Sequence, residues 1–242
     1  WGKGHGLSPV CGCGLLLRSL PVVGLEVFGH ALVEAASHAP HLGTVGGLVA
    51  HAHAQPTIAN AASSAPAAGA ALQGPALLSA LRSGGYVVYF RHTATDFSRG
   101  DSAMSSYTDC DNQRLLSPQG QRDATAIGQR IRALQLPVGE ALASPYCRTM
   151  DHARLMLTTV TPRNEIREAQ GNDHAGLKQL LSTPVPVGTN RWIVGHGTPF
   201  RAVAGAPHLS EGEAAVIRPG TTGWTVVARL MVADWAALGS TP

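Results

Sequence analysis

Two arginines and two histidines stand where apolar stretches of this chain end. Arg91 and His92 follow the run Tyr86-Val87-Val88-Tyr89-Phe90, Arg148 comes shortly after Ser144-Pro145, and His196 lies between Gly195 and Gly197 behind Trp192-Ile193-Val194. These residue types suit one chemistry. A phosphate monoester is a dianion, so cleaving it requires cations that neutralise the phosphoryl oxygens and a nucleophile that anionic repulsion does not exclude. Imidazole, with an unperturbed pKa of about 6.5, supplies such a nucleophile near neutrality. Guanidinium groups at Arg91 and Arg148 match phosphoryl oxygens with paired N–H donors. A second imidazole at His196 donates another hydrogen bond and gathers charge in the transition state. On this reading His92 forms a phosphohistidine that water later hydrolyses. A lone His or Arg at such a place is more often structural, as a hydrogen-bonded ring or a surface ion pair. Four of them at three strand ends favour a site.

The elements that must position these residues follow from pattern. Residues 86–90 are β-branched or aromatic and uncharged, as in a strand covered on both faces. Glu140 to Ser144 is a second strand-like run, after which Ser144 reads as an N-cap and Pro145 as a first-turn proline. Arg148 then falls in the first turn of a helix, where free backbone N–H groups and the helix dipole favour phosphate. In an open parallel sheet, loops and helix N-termini converge at the C-terminal edge, which is where ligands bind. Helices are predicted over 76–81, from Ser117-Pro118 to about Leu134, over 147–157 and over 173–181. In the second of these Ala124, Ile127, Ile131 and Leu134 share one face, and Arg122, Arg130 and Arg132 form a solvated one. Glu165 to Glu168 reads as a short extended segment. Residues 214–218 and 224–231 read as strands joined through Pro219-Gly220. The βαβ alternation predicts an α/β fold, a three-layer α/β/α sandwich with a mostly parallel central sheet.

In order, spacing and strand context, Arg91-His92-Thr93, Ser144-Pro145-Tyr146-Cys147-Arg148 and His196-Gly197 resemble the motifs of the histidine phosphatase superfamily, also called phosphoglycerate-mutase-like. Those motifs are Arg-His-Gly, Ser-Pro-x-x-Arg and a second His followed by Gly, and the resemblance covers roughly Ala76 to Trp235. It implies a phosphoric monoester hydrolase acting through phosphohistidine at His92, without metal or other cofactor. Arg91, Arg148 and His196 would be its phosphate ligands. Thr95 matches the hydroxyl of the Arg-His-Gly-x-Thr/Ser variant and is expected to touch phosphate, with loop capping as the alternative. The leaving-group acid in the mutase-like branch comes from a Glu between the second-Arg helix and the second His. Here that means Glu168 or Glu165, with Glu168 preferred and a surface salt bridge the alternative for either. Thr93 in place of the commonest Gly argues against a positive φ. Gly197, where the acid-phosphatase and phytase branch carries Asp, points to the mutase-like branch, branch 1. The resemblance is closest to envelope-type members, some of which remove phosphate from lipopolysaccharide sugars, and so implies a sugar phosphate. The long insertions of true mutases are missing. The alternative from another class is a non-catalytic phosphate- or phosphohistidine-binding module on the same fold. His152, His174 and His208 lack the strand-end context and read as structural, and Asp151 as a residue that orients Arg148.

Composition bounds the rest. With 242 residues, 44% hydrophobic and 14% charged, the chain has material for one good core. A scattered net charge of +3, without a basic run, argues against nucleic acid, and the partner that the resemblance implies is a small-molecule phosphomonoester. Residues 1–73 read as a low-complexity N-terminal extension and 74–242 as the catalytic domain. Lys3, Arg18, Glu26 and Glu34 are the only charged side chains before position 80, and Pro66 to Gln73 reads as a linker. Ala52-His53-Ala54, after the modest apolar run from Leu42, has the form of a signal-peptidase site, which implies a periplasmic or secreted protein. A disordered tail is the alternative. No stretch has the uninterrupted apolar length of a transmembrane segment. His5, His30, His38, His41, His51 and His53 share the extension with Cys11-Gly12-Cys13, a spacing too short for the usual zinc knuckle, so they read as scattered polar residues. Cys110 and Cys147, the only cysteines of the catalytic domain, are either a disulfide of an exported protein or two buried free thiols.

Overall fold

Residues 87–90 become the middle of a sheet because nothing in them needs water. Val87, Val88, Tyr89 and Phe90 are completely buried in the computed structural model, which describes residues 71–167 and 173–239. In chain order the elements are α1 (Gly74–Ser83), β1 (Val87–Arg91), α2 (Pro118–Ala133), β2 (Ala141–Ala143), α3 (Cys147–Met156), β3 (Thr161–Pro162), α4 (Ala175–Ser182), β4 (Arg191–Gly195), α5 (Gly197–Ala204), β5 (Ala214–Gly220), β6 (Gly223–Leu230) and α6 (Val232–Ala237). The six strands form one sheet in the order β3-β2-β4-β1-β5-β6. β3, β2, β4 and β1 are mutually parallel, and β5 opposes both β1 and β6, so β5 alone runs against the rest.

Alternate residues of β1 serve opposite faces, as the pleat requires. Val88 and Phe90 join Trp192 and Val194 in packing on Leu77 and Leu81 of α1, Ile127 and Ile131 of α2, Met156 of α3 and Trp235 of α6. Val87 and Tyr89 join Ile193 and Ile217 against Leu177 and Leu181 of α4 and Phe200 of α5. The result is the expected α/β/α sandwich. The parallel strands β1, β2 and β4 all end at one edge, so their C-terminal residues are brought together. No helix of the described residues is long and apolar enough to cross a membrane.

Several local expectations are corrected. The leader, its Ala52-His53-Ala54 site and its histidines lie outside the described residues, as does Glu168. Packed structure reaches back past residue 74. Leu72 is buried and its N–H donates to the Val227 carbonyl at 2.6 Å, and Gln73 is the N-cap of α1. Ser144 does not cap α3, which starts at Cys147 after Tyr146 as N-cap, because the Ser144 hydroxyl is engaged by His196. Asn164–Ile166 is a 3₁₀ turn in place of an extended segment, with Arg163 folded onto Glu165. The β5–β6 turn is Thr221-Thr222, whereas Pro219 and Gly220 pair with Trp224 and Gly223 inside the ladder. Pro219 is tolerated because β1 stops pairing with β5 at Ile217, so no β1 carbonyl needs the missing N–H. Arg130 is no solvated side chain: it donates to the carbonyls of Trp235 and Leu238 and ties α6 to α2.

α2 begins as predicted, with the Ser117 hydroxyl accepting the Gly120 N–H at 3.1 Å and Pro118 in the first turn. Gly128 lets it lie directly on the last turn of α3: a Cβ there would stand 2.5 Å from the Met156 carbonyl oxygen and 2.8 Å from its Cα. Gly128→Ala gains about 1 kcal/mol of helix propensity. Overpacking against backbone costs about 1–3 kcal/mol. The net expectation is a loss of stability, read as a lower urea midpoint at unchanged m. A higher midpoint would show that the two helices separate freely.

His152 of α3 is wholly buried, edge-on to Phe90 at 5.4 Å, and its Nδ1 accepts the Thr93 N–H at 3.2 Å. Burial, helped by nearby His92, lowers its pKa from 6.5 to about 3. Between those values the unfolded chain binds a proton that the folded one does not, so the contribution of His152 is complete above pH 6.5 and is lost as pH falls towards 3. The limiting slope is about 1.4 kcal/mol per pH unit for one group. His152→Gln, which keeps an acceptor for Thr93, should therefore lose stability less steeply than the wild type between pH 6.5 and 4.5 in urea titrations. Parallel slopes would mean that His152 is charged in the folded state.

Candidate active site

At the C-terminal edge of β1, β2 and β4 lies a cleft of about 320 Å³ whose lining includes Arg91, His92, Asp101, Arg114, Arg148, Arg167, His196 and His208. The four residues that the sequence singles out, Arg91, His92, Arg148 and His196, are thus together. His92 is buried, and its Nδ1 lies 2.9 Å from the Thr93 carbonyl oxygen. A carbonyl only accepts, so Nδ1 carries the proton and the Nε2 lone pair is free. The φ of Thr93 is not positive, as its side chain requires.

The His196 ring stands edge-on to that of His92, with centroids 5.6 Å apart, and its Nε2 is 2.8 Å from the Ser144 hydroxyl. Its backbone is clamped by Tyr89, which lies on the α4–α5 face of the sheet. The buried Tyr89 hydroxyl donates to the His196 carbonyl and accepts the His196 N–H, both at 3.0 Å. Gly197 is required because a Cβ there would occupy the space of the His208 ring. His208, read from sequence as structural, therefore reaches the cleft through that gap, with its Nδ1 3.4 Å from Arg91 Nη1. Arg91 Nη1 donates to the Leu209 carbonyl at 2.9 Å.

Arg148 enters from the first turn of α3. Its Nη1 donates to Asp101 Oδ1 at 2.9 Å and to the Arg114 carbonyl at 3.3 Å, and its guanidinium lies 4.5 Å over the Tyr146 ring. Asp101, and not Asp151, orients it; Asp151 faces Arg154 at 3.8 Å. Burial works against ionisation of Asp101, but the Arg114 N–H and the Arg148 guanidinium outweigh it and hold the carboxyl below its usual range. The loop bearing Asp101 is fastened to the start of α3 twice. Cys110 and Cys147 are bonded, with Cα atoms 5.8 Å apart, and the Cys147 N–H donates to the buried Gln113 at 3.0 Å. Of the two readings of the cysteine pair, the structure has the disulfide.

Burial is the first reason that His92 titrates low, at about 3, with the positive charges of Arg148, Arg91 and Arg114 adding to it and the Thr93 carbonyl opposing it. Burial, then Arg148, also holds His196 well below its usual value. Both rings are neutral near neutrality.

Thr95 does not line the cleft. It is buried behind Arg91 and His92, where its hydroxyl donates to Glu211 at 2.8 Å, so it matches neither phosphate contact nor simple capping. Glu165 lies away from the cleft and is bound by Arg163, which with burial opposing holds its carboxyl below the usual range. Arg114, Arg167, Asp101 and Glu211 were missed by sequence reasoning. Charged residues in polar loops carry no periodic signal. Glu211 had one usable cue: it stands just before the strand that pairs antiparallel with β1, which places it next to the end of β1.

The sequence over residues 87–193 matches the family model described as histidine phosphatase superfamily (branch 1). No curated protein matches the chain. Among solved structures, the protein histidine phosphatase SixA complexed with tungstate is 14% identical, with a TM-score of 0.46 over 62% of this chain and 98% of that one. A putative phosphohistidine phosphatase SixA from Nakamurella multipartitia is 24% identical, with a TM-score of 0.40 over 64% and 91%. A phosphoserine phosphatase mutant from Entamoeba histolytica bound to phosphoserine is 12% identical, with a TM-score of 0.41 over 61% and 97%. The matched residues 87–193, which contain the Arg-His pair and the second arginine, are thus similar to the histidine phosphatase superfamily, branch 1.

Proposed function

We propose that this protein is a metal-independent phosphomonoesterase that works through phosphohistidine at His92. The observation that carries this reading is a neutral, tautomerically fixed imidazole in a cleft walled by arginines. The Nε–H groups of Arg114 and Arg148 are buried without an acceptor among the described residues. Buried donors are rarely left so, and phosphoryl oxygens are acceptors that fit. Charge balance agrees. Arg148 faces Asp101 and Arg91 faces Glu211, whereas Arg114 and Arg167 have no carboxylate within ion-pair distance among the described residues. Two uncompensated cations match one phosphate dianion.

The steps follow from these groups. His92 Nε2 forms a bond to phosphorus as the ester P–O bond breaks, while Nδ1 keeps its proton, donated to the Thr93 carbonyl. Arg91, Arg114, Arg148 and His196 take up charge on the phosphoryl oxygens. Water then attacks phosphorus, the P–N bond breaks and neutral His92 returns. A leaving alkoxide needs a proton. Glu165, ionised by its arginine, is unsuited to supply it, and Glu168 is the proposed donor. A sugar phosphate is the proposed substrate class, and the bonded Cys110–Cys147 pair supports export to a periplasmic or extracellular compartment. The competing reading, a phosphate- or phosphohistidine-binding module, is favoured by one fact: Asp101, the one carboxyl among the described residues that line the cleft, is held ionised by the Arg114 N–H and Arg148.

Hydrolysis of p-nitrophenyl phosphate in EDTA separates the two. Turnover should persist in EDTA, and a brief incubation with ³²P-labelled substrate should leave acid-labile, alkali-stable label on the wild type. His92→Ala should lose both, with a fall in rate of at least about 10³-fold. Phosphate binding without turnover by the wild type would establish the binding module instead. Export has a separate check: alkylation of the denatured, unreduced protein from an oxidising compartment should leave Cys110 and Cys147 unlabelled, and labelling of both would remove the support that the cysteines give.

A further inference from the structure

Glu211 puts a negative charge directly behind a cleft built for anions, where it weakens the pull on any phosphate. Its Oε1 lies 3.6 Å from Arg91 Nη2, 3.9 Å from His92 Nδ1 and 2.8 Å from the Thr95 hydroxyl that donates to it. Its side chain is 19% exposed and is not part of the cleft wall, so it does not touch substrate. It reaches this position because Gly212 N–H donates to the carbonyl of His92 at 2.9 Å and Arg91 N–H to that of Glu213 at 3.0 Å, which pins residues 212–213 to the end of β1.

A carboxylate at that point has a purpose if the ring beside it becomes positive. Unmodified His92 is neutral, in a setting of burial and arginines that opposes positive charge on the ring. Once Nε2 is bonded to phosphorus while Nδ1 keeps its proton, the imidazole carries a formal positive charge facing the same opposition. Among the described residues Glu211 is the one carboxylate within ion-pair distance of His92. We propose that Glu211 is a positioning residue whose charge, held by Thr95 behind the His92 ring, offsets the positive charge that the ring acquires as the phosphorus–nitrogen bond forms. The proposal rests on the phosphohistidine reading. The interaction is stronger in the transition state and intermediate than in the substrate complex, so it acts on kcat, whereas in the ground state the same charge opposes phosphate binding.

Glu211→Gln keeps the shape and an acceptor for Thr95 but removes the charge. With p-nitrophenyl phosphate it should lower kcat roughly 10- to 100-fold, the equivalent of about 1.4 kcal/mol per factor of ten. KM should be unchanged or lower, and inorganic phosphate should inhibit more tightly. Glu211→Asp, which keeps the charge, should recover part of kcat. A brace between Thr95 and the loop before β5 would instead leave the Gln variant within twofold of wild type, or raise KM and lower the melting temperature together. Either result overturns the proposal while leaving the phosphatase reading intact. A wild type that binds phosphate without turnover and without label overturns that reading, and this proposal falls with it.

Discussion

The hydrogen bond from His92 Nδ1 to the carbonyl of Thr93 is the contact around which the rest of the site is built. It fixes the proton on one nitrogen and leaves the lone pair of the other free, which no amount of positive charge in the cleft could do. The backbone at Thr93 is held in turn by His152, whose buried ring accepts its N–H. A histidine buried in α3, distant in sequence, thus sets the conformation of the residue that sets the tautomer. That bond and the edge contact with Phe90 offset part of the cost of burying His152, whose Nε2 has no partner among the described residues.

Arginines in a low-dielectric cleft repel one another, and for two of them the fold offsets this with an acid. Asp101 takes Arg148 and Glu211 takes Arg91. Both acids sit on loops that are fastened elsewhere. The loop of Asp101 is tied through the Cys110–Cys147 bond and Gln113, and the segment of Glu211 through the start of the β1–β5 ladder. The second histidine is set by a different device, the Tyr89 hydroxyl lying over Gly195 and bonding both backbone groups of His196. The Nδ1 of His92 and the backbone of His196 are therefore held by contacts that leave the Nε2 of His92 free.

What the sequence by itself determined was whatever local pattern dictates. The uncharged β-branched and aromatic run at 86–90 could only be an enclosed strand, Ser117-Pro118 could start a helix, and the strand ends bearing Arg91, His92, Arg148 and His196 had to share an edge once the sheet was parallel. Tertiary structure decided everything that depends on chain segments meeting. It moved the Ser144 hydroxyl from capping a helix to holding His196, with α3 starting only at Cys147 after Tyr146. It gave Thr95 to Glu211 in place of phosphate, since an antiparallel β5 delivers a carboxylate to the end of β1. It drew His208 into the cleft because Gly197 left room for its ring. Spacing along a chain encodes periodic faces and strand ends, whereas a polar loop residue acquires its partner only when distant segments close on one another.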